Sequence, residues 1–155
     1  MAELEQPRAA QHAWSALLRV HAQLVPQIDA DLRRRFGLPL AWYDVLLELD
    51  GTDPLRMTDL GNRVVLSRTR VSRLVTEMEN AGLVARHNNP GDARSAFVTC
   101  TDLGHQRLHQ AAPHYHAAIA AHFDRLDPPE LDALARTLTK LLGPVELPTP
   151  RIART

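Results

Sequence analysis

The chain has 155 residues, 18 Lys and Arg against 18 Asp and Glu, and a formal net charge of zero. That length suits one domain, 1–155, carrying extra helices, and the balanced charge argues against a protein that binds nucleic acid by bulk basicity. No stretch nears the ~20 apolar residues of a membrane span, and the opening MAELEQPRAAQ lacks an apolar leader core. A cytoplasmic protein with no membrane partner is expected.

With 45% apolar but only 5% aromatic residues, the core must be built from Leu, Val and Ala, and the short β-branched runs favour helices. From about 9 to 36, Trp14, Leu17, Leu18, His21, Leu24, Val25, Ile28, Leu32 and Phe36 recur at spacings of three and four, one face of an amphipathic helix. Pro26 falls inside this pattern, where its missing amide predicts a kink or a break. Gly37 closes the helix. Pro39 sits near the start of a second helix with Trp42, Val45, Leu46 and Leu49 inward.

The turn cluster Asp50-Gly51-Thr52-Asp53-Pro54 leads into a very short strand at Leu55-Arg56, then a helix over about 58–65 capped by Thr58. Ser67 caps the next helix, which runs to about Ala81 with Val71, Leu74, Val75 and Met78 on one face and Gly82 as its stop. Leu83–His87 and Ala96–Cys100 flank a loop rich in Pro, Gly and Asn and read as a β-hairpin. Thr101 caps a helix of about 102–124, bent near Pro113. Asp127-Pro128-Pro129-Glu130 has the form of a capping box and opens a last helix with Leu131, Leu134, Leu138 and Leu141 on one face. The segment 144–155 is a Pro-rich tail.

The fold class is therefore mainly α with a small β-hairpin wing: a winged helix-turn-helix over 55–100. An α-helix is about 10–12 Å wide and fits the major groove of DNA, which the second helix of such a unit enters by its N-terminal turns. Here those turns read Ser67-Arg68-Thr69-Arg70-Val71-Ser72-Arg73. Val71, Leu74 and Val75 hold the helix to the core, so Arg68, Thr69, Arg70, Ser72 and Arg73 project outward. No acid interrupts the run from Arg63 to Arg73. Arg forks onto guanine O6 and N7, and Ser or Thr suits phosphates and base edges. At the hairpin tip, Arg94 is placed to reach the minor groove, with Asp92 as the carboxylate that orients it. For Arg63 and Arg86, phosphate contacts and internal salt bridges remain equally open.

The run 57–104 resembles the DNA-binding lobe of the multiple antibiotic resistance regulator (MarR) family. The pieces that carry the resemblance are ENAGLVAR (79–86), the wing sequence DARS (92–95), VTCTDLG (98–104), and upstream GLPLAWYDVLLELD (37–50). Cys100 stands where a Leu is common. The resemblance extends over about 9–142 and implies a homodimer in which 9–36 and 102–143 interlock with a second subunit, 67–81 is the recognition helix and 88–95 the wing. Partners are then double-stranded DNA at a pseudo-palindromic site and a small aromatic or phenolic effector that releases a repressor. Trp14, His21 and Trp42 lie on segments that border the ligand cleft in similar regulators, with core packing as the competing reading.

Other function classes fare worse. A winged-helix dimer used only for protein contacts is the alternative, and the Arg-rich turn and the wing sequence argue against it. No glycine-rich phosphate loop, nucleophile elbow or informative Cys–His spacing marks an enzyme, so neither catalytic residues nor a cofactor is expected. The lone Cys100 excludes an intrachain disulfide and a cysteine-rich zinc site, and it reads as core rather than as a redox sensor. His105 and His109 have the i, i+4 spacing of metal ligands, and His114 and His116 follow. No acid lies at a matching offset and the third ligand is unassigned, so they read as surface or interface histidines and no metal is expected.

Overall fold

A computed structural model describes residues 2–64, 68–88, 91 and 96–142. The first helix, α1 (Ala2–Phe36), begins earlier than its apolar face because Ala, Glu and Gln near the start are strong helix formers. It continues through Pro7 and Pro26, so Pro26 does not split it. Gly37, at φ 61, ends it in a left-handed conformation that glycine adopts without strain.

Helix α2 (Leu40–Leu49) follows Pro39, which takes the cap position with no side-chain cap bond. A carboxylate from outside meets the need: the Leu40 amide donates to Asp29 Oδ1 of α1 at 2.8 Å. Next come β1 (Leu55–Arg56) and α3 (Met57–Arg63). Arg56 occupies the N-cap of α3 without a side-chain bond, so Thr58 is not the cap. The strand carries the chain directly into the helix and moves its start one residue upstream.

Helix α4 (Arg68–Asn80) ends at Gly82, φ 75. The hairpin strands β2 (Val84–Asn88) and β3 (Ala96–Cys100) pair antiparallel, with Arg86 opposite Val98. β1 joins the other edge of β3, Leu55 opposite Val98, giving the order β1-β3-β2. Thr101 caps α5 (Asp102–Phe123), its Oγ1 accepting from the Gly104 amide at 3.1 Å. α5 continues through Pro113. The capping box of α6 (Pro128–Leu142) is reciprocal: the Glu130 amide donates to Asp127 Oδ1 at 2.8 Å, and the Asp127 amide to Glu130 Oε2 at 2.9 Å. The segment 144–155 lies outside the described residues.

The core joins Leu32 of α1 to Tyr43, Val45 and Leu46 of α2, Leu60 of α3, Val71, Val75 and Met78 of α4, Val98 of β3 and Leu108 of α5. Tyr43 is fully buried beside the expected inward set of α2 and packs on Tyr115 at 4.4 Å between ring centroids. Gly104 lets α5 enter this packing. A Cβ there would lie 2.2 Å from the Leu83 carbonyl oxygen and 2.7 Å from Cys100 Sγ.

Candidate nucleic-acid interface

Helix α4 is divided as its sequence predicts. Val71, Val75 and Met78 are buried against the core, while Thr69, Arg70, Ser72 and Arg73 are exposed. Its first turn contains no acid. Arg68 is the first residue of α4, but its side chain and the whole of Ser67 lie outside the described residues. The amide end of the helix and the exposed Arg70 thus share the first turn, with Arg73 exposed in the next, an arrangement that attracts phosphate.

One side chain of the sheet reaches across to this helix. Arg86 of β2 donates through Nη2 to the Ser72 carbonyl oxygen at 2.8 Å and to Thr76 Oγ1 at 2.7 Å. Glu79 completes the bracket, accepting from the Arg86 amide at 3.2 Å, with a carboxylate oxygen 3.7 Å from Nη1. Helix α4 is therefore tied to the sheet by charge-assisted bonds at Ser72 and Thr76. Arg86 is an internal clamp, and Arg63 likewise faces Glu48 of α2 at 3.7 Å. Sequence spacing offered no sign of the Ser72 and Thr76 partners, which lie across a turn.

The hairpin projects beside α4. Asn88 pairs with Ala96 at its outer end, and His87 Nε2 lies 2.9 Å from Thr99 Oγ1 across the two strands. Asp92 and Arg94 belong to the connection beyond that end, outside the described residues. A helix with a cationic first turn, a preceding short helix and a three-stranded sheet ending in a hairpin form a winged helix-turn-helix.

The family model described as MarR family matches residues 36–95. AbsC of Streptomyces coelicolor, a MarR family transcriptional regulator, is 35% identical, with 85% of this chain and 90% of AbsC covered and a TM-score of 0.77. Sco3205 of the same organism, a MarR family regulator solved in complex with DNA, is 32% identical over 89% of this chain and 94% of its own, with a TM-score of 0.78. An uncharacterised HTH-type transcriptional regulator of Bacillus cereus is 29% identical over 83% of this chain and 85% of its own. The chain belongs to the MarR family of transcriptional regulators.

In this MarR chain the three residues assigned to an effector cleft differ in exposure. Trp14 is 61% exposed on α1 and His21 is exposed one face-turn on, while Trp42 is half-buried against the core from α2. Ring contacts among the described residues run between Tyr43 and Tyr115, between Tyr115 and His116 and between Phe36 and His114. Cys100 is half-buried, and burial, reinforced by the Asp50 and Asp102 carboxylates, pushes its thiol up to about 12. A thiol held in its neutral form is a weak nucleophile. The relatives named above are transcriptional regulators rather than enzymes. Among the described residues no helix is long and apolar enough to cross a membrane.

Proposed function

We propose that this protein binds double-stranded DNA sequence-specifically as a homodimer on a pseudo-palindromic site and represses by occupying it. The observation that carries the reading is the acid-free, exposed first turn of α4, with Arg70 and Arg73 outward and the helix clamped to the sheet by Arg86. In this reading 55–100 is the DNA-binding lobe, Ser67, Arg68, Thr69, Arg70, Ser72 and Arg73 enter the major groove, and Arg94, steadied by Asp92, enters the minor groove. The DNA-bound Sco3205 supports the assignment by likeness.

The dimer is supported by apolar surface that one chain leaves uncovered. Trp14, Leu18, Val20 and Val25 are exposed on α1, and no residue of α6 is buried. α5 and α6 leave between them an open groove of about 510 Å³ lined by Ile119, Phe123, Leu131, Leu134 and Leu138. Its occupant is a second copy of this chain, whose helices 9–36 and 102–143 interlock with their equivalents. Twofold symmetry then sets two copies of α4 about one DNA turn apart. An aromatic or phenolic effector acting near Trp14, His21 and Trp42 rests on the family likeness, and it must favour one dimer geometry over another to act at all.

A mobility-shift titration against the DNA upstream of the protein's own gene, at two salt concentrations, tests this. Binding should weaken steeply as salt rises. Arg94→Ala should weaken binding across many sequences, whereas Arg70→Ala should change preference at particular base pairs. Parent-like binding by both variants would refute the contact assignment.

A further inference from the structure

His105 and His109 occupy successive turns of α5, and the fold brings them the acid that the sequence spacing lacks. Asp50, which ends α2, holds its Oδ1 2.9 Å from His105 Nδ1 and 3.7 Å from His109 Nε2. One ligand atom from each of the three lies within 4.8 Å of the others. We propose that Asp50, His105 and His109 bind a first-row divalent transition-metal ion, with zinc the best match.

The distances fit that ion. Tetrahedral zinc with bonds of about 2.0–2.2 Å keeps its ligand atoms roughly 3.3–3.5 Å apart, and the two separations from Asp50 to the imidazoles, 2.9 and 3.7 Å, straddle that value. Two imidazole nitrogens and one carboxylate oxygen form a donor set that suits zinc, copper or nickel better than magnesium or calcium. Three protein ligands leave a fourth position for water.

The surroundings favour the same occupant. Asp50 sits at the C-terminal end of α2, where the helix carbonyls add negative potential. Its side chain is 17% exposed, so the carboxylate is largely fixed. The imidazoles are 38% and 42% exposed, which leaves them room to turn toward a shared ion. In the metal-bound form the ion takes the place of the His105–Asp50 hydrogen bond and ties the turn between α2 and β1 to α5. The site does not depend on DNA binding, and the readout below is metal binding itself.

Tag-free protein is titrated with zinc in competition with a chromophoric chelator, and with cobalt followed by visible absorption. The expected result is one ion per chain and visible cobalt bands. His109→Gln and Asp50→Asn should each weaken zinc binding by about tenfold or more, at least what losing a supporting partner costs. His12→Gln, on the exposed face of α1, should leave affinity unchanged. His109 is exposed, so its variant keeps the fold, checked by circular dichroism, and it decides the matter even if Asp50→Asn does not fold. No stoichiometric binding by the parent, an undiminished affinity in His109→Gln, or an equal loss in His12→Gln overturns the proposal.

Discussion

Two regions of this chain with similar apolar content behave differently. Between Leu38 and Ala112 the apolar residues of every element meet, and apart from Leu32 each buried apolar side chain among the described residues lies in that interval. The outer helices carry equally regular stripes, yet α6 buries nothing and Leu141 is 73% exposed. Periodicity shows that a helix has an apolar face but not whose core that face completes. In the lobe the partner is the same chain. For the outer half of α1 and for α6 it is the second subunit proposed above.

The strongest way to break this contrast is inside the lobe. Gly104→Ala would drive a methyl group toward the Leu83 backbone oxygen, which cannot swing aside as a side-chain tip would. A loss of about 3 kcal/mol or more is expected, a fall of roughly 10 °C in Tm, measured by circular dichroism melting. An unchanged Tm would mean that α5 does not enter the core as closely as described.

The next test addresses the outer region. Leu134→Glu with Leu141→Glu places charge on the exposed stripe and removes side chains worth about 1.5–3 kcal/mol each when buried. Dimer dissociation should rise by about a hundredfold or more, read by light scattering over a dilution series, with the lobe still helical. If the variant remains as dimeric as the parent, the second copy does not cover this face.

Arg86→Ala sharpens the comparison within the interface. It removes bonds to the Ser72 carbonyl and Thr76 Oγ1, and Arg86 is not among the proposed DNA contacts. Stability should fall by about 1–2 kcal/mol. DNA affinity should weaken while its dependence on salt stays parallel to the parent's, because no phosphate partner is lost. A shallower salt slope would instead make Arg86 a phosphate ligand.

What could be read from the sequence was the local part. The Thr101 cap, the Asp127–Glu130 box, the Gly82 stop and the outward face of α4 each depend on residues within a turn or two of one another, so spacing displayed them. Non-local partners were hidden. Tyr43, absent from the inward set read for its helix, is buried under Tyr115, Asp29 caps a helix eleven residues on, and Asp50 meets histidines more than fifty residues away. Thr58 failed as a cap because the pairing of β1 decides where α3 begins. At the interface the exposed side chains of α4 were legible for the same local reason. The Arg86 clamp that positions them was not.

The smallest expected effect asks whether a strained charge belongs to the lobe or to the dimer contact. Burial raises the Asp44 carboxyl from 3.8 to about 6, with the neighbouring Glu48 adding to the shift. Between those values the folded chain binds more protons than the unfolded one, so stability falls as pH rises toward 6 and the cost is complete above it. At about 1.4 kcal/mol per unit the limit is roughly 3 kcal/mol, and relaxation should reduce it to about 1–2 kcal/mol. Asp44→Asn should therefore raise Tm by a few degrees at pH 7.5 and leave it nearly unchanged at pH 4. Melting at two protein concentrations completes the test, because a cost confined to the α2–α3 side of the lobe gives the same gain at both. A gain that appears only on dilution would place Asp44 at the subunit boundary and redraw the line between the two regions.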